Sequence, residues 1–288
     1  MAVAVVDTTA VSPAVPGSPF NPTRLLPRNL LKHYRRLLNA LGEQPAAVPN
    51  RDRCFLAQRL QRHLVTRMPL PGSLEVALLS QPADPISGDV YDLRPVGPDR
   101  WHLWLADATG HGAPAAASAW RATARLHRPD KDPLPPDLAL RRLNMMTLGN
   151  PDAPDPLAAV VAEIDYRRRT LSWARGGLPY PVLLSEDQPP RQINSTGGLI
   201  GAWPSQQYEL VRRRLQPRQA LLFYTDGFSS LLLAAEGRPQ TQTLIATDWV
   251  RQARPSQLLP LLTAVRRTAA DPPADWHTDD VTAVAVSM

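Results

Sequence analysis

From about residue 73 onward the chain alternates between short apolar runs and turns. Segments 74–79, 90–95, 101–106, 158–165, 170–174, 180–184, 207–215, 220–224 and 281–286 are alternating or continuously apolar over strand-like lengths, and turns such as Gly97-Pro98-Asp99 part them. Helical periodicity covers 113–126, 136–148, 227–235, 243–252 and 255–270. The strands arrive in twos and threes joined by short turns. That order favours antiparallel meanders over a regular β-α-β alternation and predicts an α+β fold with layers around a central pair of sheets. No internal repeat at solenoid periods is present.

Upstream the pattern changes. Leu30, Tyr34, Leu37 and Leu41 recur at helical spacing with Gly42 as a stop, which predicts an amphipathic helix over 29–41. After a break at Pro45 and Pro49, Leu56, Leu60 and Leu64 share one face, predicting a second helix over 52–68 with Asp52 as its cap. Before both lies 1–23, where Pro13, Pro16, Pro19 and Pro22 stand among small residues. This composition buries too little apolar surface to offset ordering and predicts a disordered arm. The expected organisation is therefore a disordered arm at 1–23, a helical linker or regulatory segment at 24–69, and a main domain at 70–288. Amphipathic spacing leaves two roles open for the helices, packing on the main domain or forming a dimerising or partner-responsive element.

Composition narrows the class. A length of 288 residues suits one main domain with an appendage. No apolar run approaches the ~18 residues of a membrane span, and no secretory leader is recognisable, so a cytoplasmic protein with no membrane contact is expected. A lone cysteine, Cys54, excludes an internal disulfide and any multi-cysteine metal cluster. The net charge of +6 raises the question of nucleic acid, but the arginine clusters at 167–169 and 212–214 each sit between strand-like runs without interleaved aromatics. A solvated surface is expected there, and no nucleic-acid partner.

Four aspartates share a particular setting, at the end of an apolar run or in a glycine-containing turn beside one. Ser87-Gly88-Asp89 precedes Val90-Tyr91, and Leu103-Trp104-Leu105-Ala106 runs into Asp107-Ala108-Thr109-Gly110-His111-Gly112. Further on, Leu221-Leu222-Phe223-Tyr224-Thr225 runs into Asp226-Gly227, and Thr278-Asp279-Asp280 leads into Val281. Singly, each is an ordinary turn or cap aspartate. Strand ends gathered at one rim bring distant carboxylates together, and such a group resists ionisation unless hard, oxygen-preferring cations sit among it.

The ordered set carries more than its parts. Ser-Gly-Asp-Val-Tyr-Asp, Leu-Ala-Asp-Ala-Thr-Gly-His-Gly before a small-residue helix, Arg-Gly-Gly-Leu-Pro-Tyr-Pro-Val-Leu-Leu, Leu-Phe-Tyr-Thr-Asp-Gly-Phe and Asp-Asp-Val-Thr-Ala-Val follow one another from about residue 70 to 288. In that order they resemble the SpoIIE/RsbU-type serine/threonine phosphatases of the PPM (protein phosphatase 2C) superfamily. The resemblance implies an αββα sandwich of two antiparallel sheets flanked by helices, here with an N-terminal helical extension. It also implies two divalent cations, Mn2+ or Mg2+, that activate a water for in-line attack on a phosphoserine or phosphothreonine. Asp107 matches the acid that bridges both cations, the carbonyl of Ala108 a main-chain ligand, Asp226 and Asp279 further ligands of one cation, and Asp89 the acid serving the other. Asp92 and Asp280 are expected to play supporting or structural parts.

The branch commonly acts on small anti-sigma-factor antagonists with a STAS fold, so a phosphorylated STAS-domain protein is the expected partner, with a separate sensor protein or a homodimer acting through the helices. Three departures from the pattern stand out. Ser87 replaces a glycine, which predicts strain if the turn needs a positive φ. No arginine stands in Ala83-Asp84-Pro85-Ile86 to hold phosphate, and His111 lies two residues beyond where the larger relatives place a histidine. The competing classes are a pseudophosphatase that grips a phosphorylated partner without turnover, and a nucleic-acid-binding regulator suggested by the pI alone.

Overall fold

A computed structural model describes residues 64–69 as backbone and 74–84, 86–110, 112–126, 133–148, 156–274 and 276–287, with the side chain of Ala124 excepted. All belong to one compact unit, Gln61–Met288. The arm expected at 1–23, the helix expected at 29–41, most of the helix expected at 52–68, Cys54 and His111 lie outside the described residues.

Two antiparallel sheets form the centre. The six-stranded sheet runs β1 (Leu64–Pro69), β2 (Glu75–Gln81), β11 (Val281–Ser287), β10 (Gln219–Tyr224), β7 (Val182–Ser185) and β8 (Arg191–Gln192). The five-stranded sheet runs β3 (Asp89–Pro95), β4 (Arg100–Ala108), β5 (Leu157–Asp165), β6 (Thr170–Gly176) and β9 (Val211–Arg214). Both faces of each central strand are buried, which is why the strands read as continuous apolar runs instead of clean alternation. Strand parity sorts their side chains into three layers. Val76 and Leu78 of β2, Leu103 and Leu105 of β4, Val160 and Ile164 of β5, Trp173 of β6, Phe223 of β10 and Val284 of β11 meet between the sheets. Trp173 and Phe223 pack edge to face there, ring centroids 6.1 Å apart.

Residues of the opposite parity face helices. Ala77, Leu222, Tyr224 and Ala283 pack against α3 (Asp226–Ala235), the short α4 (Asp248–Arg251) and α5 (Leu258–Ala270). Trp104, Ala106, Ala159 and Val161 pack against α1 (Gly112–Leu126) and α2 (Pro136–Leu148). Small side chains at Ala115, Ala119 and Ala122 bring α1 close to the sheet. The result is the expected αββα sandwich.

Two expectations need correction. Residues 64–68 do not end a helix: Leu64–Pro69 is a strand, paired antiparallel with β2 from Leu64↔Ser80 to Pro69↔Glu75. A free edge beside β2 offers these residues a ladder of hydrogen bonds, and Val65 and Thr66 are β-branched. The helix expected over 243–252 is broken into a 3-10 turn at Leu244–Ala246 and α4, because Thr247 ends the first and caps the second with its hydroxyl on the Val250 N–H.

Candidate active site

The acids converge where sheet topology makes distant strand ends neighbours. Asp89 begins β3 and lies directly across the ladder from Asp107 near the end of β4. Their strand neighbours on the same face, Tyr91 and Leu105, belong to the inter-sheet layer, so both carboxylates sit on the inner face at one rim of the sandwich. From the other sheet, β10 ends at Tyr224 and the chain turns at Thr225 into α3, whose first residue is Asp226. Asp279 and Asp280 immediately precede β11, the neighbour of β10.

Hydrogen bonds tie these pieces together. The Thr225 hydroxyl donates to Asp89 Oδ2 at 2.9 Å, linking the two sheets, and accepts from the Thr282 N–H at 3.1 Å. Asp280, 6% exposed, accepts from the backbone N–H groups of Ala83 at 2.8 Å and Gly88 at 2.7 Å. Its carboxylate is thereby committed to holding the turn that delivers Asp89. Glycine is required at Gly227 because a Cβ there would fall 2.1 Å from the Asp280 carbonyl oxygen, and this close approach seats Asp226 beside Asp279 and Asp280.

Electrostatics report how near the carboxylates are. Burial, then the charge of Asp226, a hydrogen bond with the same side chain, and the charges of Asp279 and Asp280 push the Asp107 carboxyl up to about 8. Asp89 is also held well above the usual carboxylate range, by burial first and then by Asp107 and Asp280, against the lowering effect of hydrogen bonds from Thr282 and Thr225. The cluster grades outward from buried Asp89 through half-buried Asp107 and Asp279 to exposed Asp226, so the rim opens to solvent. Crowded carboxyls that resist ionisation are the donor set a divalent cation relieves. Among the described residues, however, no three Asp, Glu, His or Cys side chains already stand in a metal-holding arrangement. The rim is a gathering of acids from distant parts of the chain.

All four expected acids, with Ala108 beside them, are thus brought to one place, and Asp92 is not. It lies on the opposite face of β3 from Asp89, across from Trp104 of the helix-facing layer. Ser87 is unstrained, since among the described residues the non-glycine positions with positive φ are Arg169 and Arg218. Its hydroxyl instead accepts the Asp89 N–H at 3.0 Å. The sequence reasoning did not single out Thr225, a polar residue 0% exposed at the end of an apolar strand, where such a group demands partners. It also missed Asn144, 1% exposed on α2, whose side chain accepts from the Gly201 N–H at 2.7 Å and donates to the Trp203 carbonyl at 2.8 Å.

Two stacked antiparallel sheets, helices on both outer faces and an acid-lined rim define the PPM (PP2C-type) phosphatase fold. The profile of the family described as Stage II sporulation protein E (SpoIIE) matches residues 97–288, and the chain belongs to that family. Among solved structures it resembles the RsbU and RsbW domains of a Mycobacterium tuberculosis protein, with TM-score 0.60 and 22% identity over 78% of this chain and 61% of that one. It also resembles the SiaA-PP2C domain of Pseudomonas aeruginosa, with TM-score 0.61 and 20% identity over 91% of this chain and 100% of that one. A third is RsbX in complex with magnesium, with TM-score 0.57 and 12% identity over 77% of this chain and 98% of that one. No curated protein matches the sequence. No helix among the described residues is long and apolar enough to cross a membrane.

Proposed function

We propose that this protein is a metal-dependent serine/threonine phosphatase that hydrolyses phosphoserine or phosphothreonine on a partner protein in bacterial signalling, a phosphorylated STAS-type anti-sigma-factor antagonist being the expected substrate. The observation that carries this is the meeting of Asp89 of β3, Asp107 of β4, Asp226 of α3 and Asp279 from the loop before β11 at one solvent-open rim, with the Asp107 carboxyl pushed to about 8 by burial and its neighbours.

In this reading Asp107 would serve both cations, the carbonyl of Ala108 would be a main-chain ligand, Asp226 and Asp279 would be further ligands of one cation, and Asp89 would serve the other. The magnesium in the RsbX complex supports Mg2+ or Mn2+ as the kind of ion. Such cations, when bound, lower the pKa of a coordinated water and offset charge on phosphoryl oxygens. The protein's own part is to hold the acids where they are: Thr225 orients Asp89, and Asp280 anchors the Gly88 turn. A module that grips the phosphorylated partner without turnover is the competing reading, and the retention of all four acid positions argues against it.

The deciding experiment incubates the purified protein with candidate phosphorylated STAS-domain proteins, with and without manganese. Release of phosphate only with the metal is the expected result. Tight binding of the phosphoprotein with no release at any metal concentration would replace the enzyme with the binding module.

A further inference from the structure

The two arginine triplets, 167–169 and 212–214, are more than forty residues apart in sequence but form one surface in space. At the end of the five-stranded sheet opposite the acids, the register runs Arg100↔Asp165, Asp165↔Thr170 and Thr170↔Arg214. The β5–β6 turn is tied to β9 by the Leu215 N–H donating to the Arg169 carbonyl at 2.9 Å. Carboxylates at this end are already taken. Asp99 pairs with Arg167 at 3.2 Å, Asp165 with Arg168 at 3.1 Å, and Glu163 with Arg100 at 3.3 Å and with His102 at 3.7 Å.

What remains is Arg169, Arg212, Arg213 and Arg214, with no carboxylate partner among the described residues. Arg212 donates to the neutral Ser172 hydroxyl at 3.0 Å, and the buried Arg213 Nε has no acceptor. Arg212, Arg213 and Arg214 lie on β9, the outermost strand of its sheet, and Arg169 stands in the adjoining β5–β6 turn. Among the described residues no strand pairs with the far edge of β9, which leaves backbone N–H and C=O groups open there. An open ladder bordered by uncompensated guanidinium groups suits an extended polypeptide that carries carboxylates.

We propose that β9 is a docking edge for an acidic, extended segment of a partner protein, which adds as a further strand to the five-stranded sheet with its carboxylates on Arg212, Arg214 and Arg169. The strand supplies affinity through main-chain hydrogen bonds and the arginines supply selection by charge. A polypeptide is favoured over nucleic acid because the edge offers a ladder that a phosphate backbone does not use, and no aromatic side chain is interleaved with the arginines for bases to stack on. The site lies at the rim opposite the acids and does not depend on the catalytic assignment.

The probe is a fluorescein-labelled peptide of about ten residues alternating glutamate and valine, followed by anisotropy with the full chain at roughly 0.15 M salt. Saturable binding is expected, weakened at least about tenfold in the Arg212→Glu/Arg214→Glu double variant with the melting temperature unchanged. Should that variant fold poorly, Arg212→Gln/Arg214→Gln provides the same comparison without the charge reversal. The same peptide with alternate backbone amides N-methylated keeps its charge but cannot join a ladder, and is expected to bind equally weakly. No binding by the wild type overturns the proposal and leaves the arginines as guards against edge-to-edge aggregation. Equal binding by the double variant or by the N-methylated peptide also overturns it, as does tighter arginine-dependent binding of a duplex DNA oligonucleotide.

Discussion

The two ends of the five-stranded sheet carry opposite chemistry for opposite reasons. At one end Asp89 and Asp107 face each other across the ladder, buried, with carboxyls that resist ionisation. At the other, Arg100, Arg167 and Arg168 sit beside Glu163, Asp99 and Asp165, and these arginine side chains are between 46% and 79% exposed. Exposed pairs of this kind contribute roughly 0–1 kcal/mol, because water and salt already do most of what the partner does. Like charges brought together out of water are costly, and they persist only where the fold compels them. The acid rim therefore stores a cost in its crowded carboxyls, whereas the exposed pairs of Arg100, Arg167 and Arg168 store almost none.

The acid rim should be most sensitive at Asp107. Asp107→Asn should lower kcat/KM for manganese-dependent hydrolysis of a generic phosphoester by about 100-fold or more, equivalent to about 2.7 kcal/mol of transition-state stabilisation. The metal-free melting temperature should not fall. Turnover like the wild type would remove Asp107 from the reaction.

Next in size is Gly227→Ala, whose new methyl must displace the Asp280 carbonyl 2.1 Å away. Overpacking of this kind costs about 1–3 kcal/mol, to be read from urea unfolding of the metal-free protein. A change below about 0.5 kcal/mol, the range of ordinary surface substitutions, would show that the rim is not tightly built.

The smallest effect is on pH dependence. In the unfolded chain Asp107 releases its proton near ~3.9, but in the folded chain only near about 8. Between those values the folded state holds a proton that the unfolded state has lost. The contribution to stability is therefore full below about pH 4 and disappears as pH rises through about 8. With divalent cations chelated, the melting temperature should drop from pH 5 toward pH 8.5, and Asp107→Asn should flatten part of that slope. A drop of equal size in the variant would place the titrating group elsewhere.

Much of this was legible in the sequence because both sheets are covered on both faces. Runs such as Leu221-Leu222-Phe223-Tyr224 declare a buried strand whatever lies around them, and four Asp-bearing motifs in a fixed order pointed to one rim. The strand at Leu64–Pro69 was not legible. Its period matches the leucines before it, and only the presence of β2 decides in favour of extended backbone. Asp92 and Asp280 were equal candidates as neighbours of the main acids. They part company on strand parity and on which backbone N–H groups are within reach, and neither is written in local sequence. The convergence of the arginine triplets required the β6–β9 register, a pairing across some forty residues that no periodicity encodes.

The position of β11 has a consequence for how the protein comes into being. This strand fills the middle of the six-stranded sheet, between β2 and β10, and its register joins Val281 to Gln81. A nascent chain that has emerged from the ribosome only as far as β10 has two apolar strand edges and a gap between them. Asp279 and the Asp280 anchor are still untranslated at that moment. Neither the central sheet nor the acid rim can form progressively. Such long sequence separations slow folding and leave unpaired edges exposed while it proceeds, so production of this domain should be unusually sensitive to chaperone supply and to growth temperature.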